Sequence, residues 1–544
     1  MKKLLYILIV LIAYINSACS DFLKEYNPSA VTDELYNTKE GQNKLLISIY
    51  SRFRDVFNTG ELQYYGTDLY MAVTEDPTER MFNGYDKTFN STAPIVGNYW
   101  SNLYKIVQEC NILLNRCSPN TAGDEYVSLS SQGTFLRVLA YYYLVETFGP
   151  IPLLTEENES LITKVQRTSE ADIYSFMISE LDRVKGLLPM TTVEKGRVTD
   201  AAVWHLLGKL YLTRAYKTYA QEKDFSIAAD CFDKLILDPA QNYTLQLSFK
   251  DLFDENNQAN SEVIWALQYG LDKNFVGSGN SQNSLFGFKI EALEPELFVK
   301  NQADYSAMER KYWIIPKVHE LFAEPEYDTR YDVTFQREFY INNPDNPDFG
   351  KLGIYFPYWN DESGISYEAK KFYPFRTNNN YTWYPQSTAL PILETASDRM
   401  PIIRKFKDTK IQWGAPGSRE DVIFRLGDTY LLSAEAHLGA GDKDTALDRI
   451  NEIRKRAFTD NNVYERMKLT DLNIDILMDE RARELLGEHD RWFDLKRTQT
   501  LLSRVPEYNP LVVKYNNLNK NHLVRPIPQS EIDKVEGLTQ NEGY

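Results

Sequence analysis

The segment Met478–Arg497, MDERARELLGEHDRWFDLKR, constrains the fold more than any other stretch of the chain. It reads as one helix dense in both signs of charge, broken at Gly487 and resumed through Trp492, Phe493 and Leu495. Glu480 and Glu484 stand one turn apart, with Arg481, Arg483, Arg491 and Arg497 interleaved. Residues three and four apart are neighbours on a helix surface, so this spacing pairs carboxylates with guanidiniums along one face. Physics alone predicts a salt-laced amphipathic helix whose apolar side covers a core.

Such a helix needs partners, and the chain supplies them as helical hairpins. Trp204-x-x-Leu207-Gly208-x-x-Tyr211 matches the first-helix signature of a tetratricopeptide hairpin. Gly208 would let the second helix pack close, and Ala228, Phe232, Leu235 and Pro239 have the spacing of that second helix. Tyr430, Ser433, Ala434 and His437, then Ala446, Ile450 and Ile453, form the best-matched unit, turned by Gly439-Ala440-Gly441-Asp442. A looser unit joins Leu136, Leu139, Ala140 and Tyr143 to residues 171–188. A fourth pairs residues 41–57 with 99–117 across a long insertion. No hairpin of this kind buries its apolar face alone, so the four are predicted to stack.

From 241 to 415 the helical period fades and Pro, Gly, Asn and aromatic residues rise, as in INNPDNPDFG (341–350) and FYPFRTNNNYTWYPQ (372–386). These segments read as loops and short strands carried on the helical frame, where binding usually resides. Their aromatics include Tyr355, Tyr358, Trp359, Tyr373, Trp383, Tyr384 and Trp413; the first insertion adds Tyr64, Tyr65, Tyr85 and Trp100. A sugar ring offers a flat C–H face and a hydroxyl rim, which an aromatic platform with nearby polar side chains would satisfy. The alternative for each ring is packing: Trp100 lies in a helix-like context, and loop tryptophans often pin the loop itself.

The net charge of −17 over 544 residues excludes a nucleic-acid footprint, which must be basic. The five histidines have no metal-ligand spacing, and no G-x-S-x-G elbow or phosphate loop occurs. The Asn343–Asp348 run has a spacing of three and reads as a turn, not a calcium loop. No cofactor, metal or catalytic residue is predicted. At the N-terminus, Lys2 and Lys3 precede an apolar run, Leu4–Ile15, then Ser17, Ala18 and Cys19. This is an export signal with a cleavage site. Cys110 and Cys117, seven apart on one predicted helix, lie too far apart for a disulfide, and with Cys231 they are expected to be buried thiols.

Several blocks together resemble the SusD/RagB family. R-x-R-E-L-x-G-E-x-x-R-W-F-D-L-K-R over 481–497 resembles its C-terminal signature, a structural segment. QGTFLRVLAYYYLVETFGPIPLL (132–154), RKFK (404–407), RLGDTYLLSAEA (425–436), and the tail from Arg525-Pro526-Ile527-Pro528 to Tyr544 resemble further family blocks in order. Small residues before Cys19 resemble a lipobox, with Asn16 where Leu or Val is usual. The resemblance implies a mainly α SusD-like fold, four tetratricopeptide-like hairpins carrying a loop-rich ligand-binding region. It also implies a division into a signal peptide (1–18), a lipidated tether (19–40), an N-terminal helical region (41–240), the loop-rich region (241–415) and a C-terminal helical region with tail (416–544). It further implies an outer-membrane lipoprotein, anchored through Cys19, that binds an oligosaccharide and passes it to a SusC-like TonB-dependent barrel without enzymatic action. A peptide-binding RagB-like receptor is the alternative; a surface glycosidase and a pure protein scaffold are the rivals from other classes. The candidate ligand contacts are Trp100, Trp359, Trp383, Trp413, Tyr358 and Tyr384.

Overall fold

The computed structural model describes residues 33–360 and 401–544, apart from 59, 73–76, 118–122, 159, 193, 195, 239–241, 273–276, 278, 310 and 357. Cys19, Tyr373, Trp383 and Tyr384 lie outside the described residues. The helical frame begins with α1 (Lys39–Asn58), α2 (Pro94–Arg116), α3 (Asp124–Phe148) and α4 (Glu170–Val184). It continues with α5 (Asp200–Ala215), α6 (Asp224–Leu237), α7 (Leu426–Gly439) and α8 (Lys443–Ala457). Two further helices, α9 (Ile474–Leu485) and α10 (Arg491–Arg497), follow. No helix among the described residues is long and apolar enough to cross a membrane.

Local sequence sets the starts of these helices. Ser169 accepts a hydrogen bond from the Asp172 backbone N–H, Asp442 from Thr445 and Asn473 from Ile476, each satisfying a donor the helix leaves open. Pro94, which has no N–H to waste, opens α2.

The four predicted hairpins form. α1 packs on α2, α3 on α4, α5 on α6 and α7 on α8. They also stack on one another: α2 against α3, α4 against α5, and α6 against α7. α3 lies at the centre. Every residue from Phe135 to Phe148 is buried, so this part of the helix is enclosed on all sides rather than along one stripe, with Arg137, Glu146 and Thr147 as its buried polar groups. Gly208 on α5 does what its place in the signature requires. A Cβ there would stand 2.8 Å from the Phe232 ring and 3.1 Å from Cys231 Cβ, so only glycine lets α6 approach this closely.

Among the described residues, eight short strands pair into four antiparallel two-stranded ladders. β1 (Tyr70–Ala72) pairs with β3 (Tyr312–Ile314), setting Met71 opposite Trp313. β2 (Val263–Leu267) pairs with β8 (Asp421–Arg425), which runs straight into α7. β4 (Phe335–Gln336) pairs with β7 (Ile402–Ile403), and β5 (Glu338–Tyr340) with β6 (Leu352–Tyr355). The Asn343–Asp348 run makes the turn between β5 and β6. Asn343 Oδ1 accepts from the Asp345 N–H and Asn346 Oδ1 from the Asp348 N–H.

The charged segment 478–497 breaks where predicted, with Gly487 at φ +85° between α9 and α10. Its charges, however, do not lace a solvated face. Glu480 and Glu484 are fully buried, and their principal partners come from elsewhere in the chain. Glu480 pairs with Arg330 (2.7 Å), with Arg454 (2.6 Å) and with Arg483 one turn away (2.6 Å). Glu484 pairs with Arg425 (2.8 Å), Arg330 (3.3 Å) and Arg456. Glu488 accepts two bonds from Arg425 and one from Lys405 (2.8 Å), while Glu262 takes Arg425 (2.9 Å) and Arg456 (2.6 Å). On α10, Asp494 pairs with Arg481 (2.6 Å) and Arg497 (2.8 Å), Arg497 with Glu435 (2.8 Å), and Arg491 with Asp68 (2.5 Å). Buried charges persist only when paired and hydrogen-bonded, and this network meets that condition across every major part of the chain.

Candidate functional site

A cavity of about 590 Å³ forms a groove beside α2. One wall is the outer face of α2, carrying Trp100, Ser101, Tyr104, Lys105, Val107 and Gln108. The facing wall is the segment from Pro152 to Val165, and Glu531, Val535 and Leu538 of the tail close one side. Positions 100, 101, 104, 105 and 108 share one helical face because a turn spans 3.6 residues.

The floor is aromatic and the rim polar. Trp100, only 4% exposed, rests edge-to-face on Phe148 (ring centroids 4.9 Å) and tilts against Tyr104 (4.8 Å). The Tyr104 hydroxyl donates to the Pro152 carbonyl (2.8 Å), tying the two walls together. Burial pushes that phenol well above its usual range, so it stays protonated as a donor. Gln108 and Asn158 bridge the walls, Gln108 donating to the Asn158 carbonyl and the Asn158 amide donating back to Gln108 Oε1 (3.2 Å each). Ser101, Lys105, Ser160 and Glu531 complete the polar rim, and Leu161 stands 91% exposed at the mouth. The tail is fastened there by the Val165 N–H donating to the Glu536 carbonyl (3.0 Å).

The other candidates among the described residues, Trp359, Tyr358 and Trp413, are held in place by neighbours. Trp359 donates its indole N–H to the Phe322 carbonyl (2.8 Å). The Tyr358 hydroxyl donates to Asp332 (2.8 Å), and the Arg337 guanidinium covers its ring at 3.6 Å. Trp413 is half-buried and packs edge-on against Tyr305 (5.5 Å) beside a satellite core of Phe288, Phe298, Phe339 and Phe356. Of the aromatics expected at the surface, Tyr64, Tyr65, Tyr85 and Tyr355 are buried. Tyr64, Tyr65 and Tyr85 fill the main core, where Tyr64 meets Tyr70 and Phe286 edge-on and tilts against Tyr312. The structure therefore gathers Trp100 with Tyr104 in one groove and leaves Tyr358, Trp359 and Trp413 on separate contacts. No cluster of three or more potential metal ligands occurs among the described residues. Cys110, Cys117 and Cys231 are buried thiols; burial raises Cys117 to about 11 and Cys231 to about 12, which suppresses the reactive thiolate.

Comparison with known families decides the class. A sequence model of the SusD family matches residues 261–544, just over half the chain. The chain belongs to the SusD family. A second family model, described as starch-binding and associating with the outer membrane, matches residues 21–212. Among curated SusD-family relatives, SusD-like protein P25 of Formosa agariphila is 24% identical, covering 97% of both chains. The starch-binding protein SusD of Bacteroides thetaiotaomicron is 26% identical over 75% of this chain and 72% of its own. Among solved structures, a laminarin-binding SusD-like protein superposes with a TM-score of 0.68 at 21% identity, covering 93% of this chain and all of that one. A surface glycan-binding protein of Bacteroides thetaiotaomicron, bound to laminarihexaose, gives 0.67 at 18% identity over 92% and 99%. At such identities the structures establish the SusD fold.

The sequence names Trp100 as a candidate, but not the walls of the groove that it lines. The 152–165 wall and the tail lie 50 and more than 400 residues from it. The signal that could have marked the first is Leu161-Ile162, an apolar pair inside the polar stretch TEENESLITK.

Proposed function

We propose that this SusD-family chain captures an oligosaccharide at the cell surface and passes it to a SusC-like TonB-dependent barrel. The groove beside α2 is the observation that carries the reading. Trp100 and Tyr104 supply an apolar floor, and Ser101, Lys105, Gln108, Asn158 and Ser160 supply hydroxyl-matching donors and acceptors around it. Relatives that bind starch and laminarin support the ligand class. Lipidation of Cys19 would anchor the chain at the outer membrane, and the family model named for outer-membrane association supports that placement. The action is capture and hand-over, with no bond made or broken in the ligand.

Retardation of the purified protein in native gels containing starch, laminarin, xylan, mannan, polygalacturonate or carrageenan tests this. At least one polymer should retard it. Ser101→Trp places an indole into the groove from a half-exposed position, so it should abolish retardation while leaving the melting temperature nearly unchanged. Indifference to every polymer would count against glycan capture. Retardation that survives Ser101→Trp would move the site elsewhere.

A further inference from the structure

A second cavity, about 350 Å³, opens between the turn after Phe249, the helix Thr329–Thr334 and the segment after β7. Five cations line it, Lys250, Arg404, Lys405, Lys407 and Arg419, against three carboxylates, Asp254, Glu255 and Asp332. In a chain of net charge −17 this is a local reversal of sign.

The pairing inside the cleft matters more than the count. Lys405 is already engaged, its ammonium donating to Glu488 (2.8 Å). Asp332 is engaged as well, accepting from Arg337 (2.7 Å) and from the Tyr358 hydroxyl (2.8 Å). Glu255 accepts from the Thr409 backbone N–H (2.8 Å) and from its hydroxyl. The other cations have no carboxylate partner among the described residues. Arg419 donates to the carbonyls of Lys405 (3.1 Å), Lys407 (3.0 Å) and Phe253 (2.9 Å). Lys407 donates to the carbonyls of Ala303 and Asp304. Those bonds fix the two side chains without cancelling their charge. Arg404 and Lys250 stand exposed at the opening. Burial, with the Arg404 charge beside it, pushes the Lys407 ammonium below its usual range, and burial does the same to Arg419. Carboxylates stand near both groups, Asp304 and Glu255 by Lys407 and Asp408, Glu255, Asp254 and Glu420 by Arg419, but they do not outweigh burial, and a bound anion would add to them. Tyr358 flanks the cleft through Asp332, so an aromatic edge lies beside the positive wall.

We propose that this cleft takes the anionic substituent of an acidic glycan, a sulfate ester or a uronate carboxylate, with Arg404 and Lys250 making contact and Lys407 and Arg419 supplying the fixed field behind them. Guanidinium matches both anions as a two-pronged donor, and the backbone-held Lys407 and Arg419 keep the field behind it in place. The inference rests on the glycan-capture reading and narrows its ligand class.

The test compares affinities of the purified protein for polygalacturonate (carboxylates), carrageenan (sulfate esters), and neutral laminarin and starch. It uses the wild type and the double variant Arg404→Ala, Lys250→Ala. Both residues are exposed, so melting should be unchanged. The expected result is binding to an acidic polymer that weakens with added salt and falls at least tenfold in the variant. Which acidic polymer binds separates carboxylate from sulfate. Binding to neutral polymers alone would overturn this proposal and leave glycan capture standing. So would acidic binding that the variant leaves intact. Binding to none of the four would overturn this proposal, and indifference to xylan and mannan as well would count against glycan capture itself.

Discussion

Glu484 shows how much of the architecture one side chain can hold. Its carboxylate receives Arg330, Arg425 and Arg456, from the middle loops, the last strand and α8. Removing one member of a buried ion network strands its partners without water, at about 3–5 kcal/mol. Glu484→Gln should therefore lower the midpoint of urea denaturation by that much, and circular dichroism would follow it. A change below about 1 kcal/mol would mean the guanidiniums find other acceptors. The same group sets a pH dependence. Burial alone would raise the Glu484 carboxyl, but Arg456, Arg425 and Arg330 outweigh it and hold it at about 2. Glu480 is held well below its usual range by Arg483, Arg330 and Arg454 against the same burial penalty. In the unfolded chain both titrate near the ordinary glutamate value of about 4.3. Their stabilisation is thus fully present above that value and is lost progressively as pH falls towards 2. Melting temperatures measured from pH 7 down to 2 should fall over that window, and less steeply in Glu484→Gln.

At the scale of elements, the hairpins were legible because their information is local. The Trp204–Tyr211 signature, the Gly439–Asp442 turn and the apolar spacing of α1 and α2 each lie within one or two turns. The breaking of 478–497 at Gly487 was legible for the same reason. The partners of that segment were not. Arg330 stands 150 residues before Glu480, and no period links them; only the fold brings them together. The groove beside α2 divides the same way, Trp100 being visible as an aromatic on a helix and its facing wall arriving from distant loops. Gly208 tests the local part. Gly208→Val would press a branched side chain into the Phe232 ring, where a Cβ alone already stands at 2.8 Å. Overpacking of this kind costs about 1–3 kcal/mol. The variant should melt lower as a folded protein, whereas the same change at Gly97, whose Cβ would meet nothing within 4 Å, should leave packing unaffected.

The whole molecule is closed by its C-terminal tail. After α10 the chain returns to the N-terminal half, where the Arg525 N–H donates to the Thr147 carbonyl (2.7 Å) and the Asn541 amide to the Phe148 carbonyl (2.8 Å), both at the end of the central helix α3. The fully buried Arg525 guanidinium stacks on Trp492 of α10 (4.4 Å) and on Phe89 of the first insertion (4.9 Å). One short segment thus joins three regions and also supplies Glu531, Val535 and Leu538 to the groove. Truncation after Val524 removes these contacts together. It exposes the end of α3 and the Trp492 ring, so the melting temperature should fall. It also opens one side of the groove, so retardation by a polymer that binds the groove should be lost. The stacked hairpins α5–α8 pack on one another, on α4 and on α9, and none of these packings is made by the tail, so helical circular dichroism should largely survive. If the truncated protein kept both its melting temperature and its ligand, the tail would be a passive covering. Loss of ligand with melting unchanged would make it a wall of the site alone.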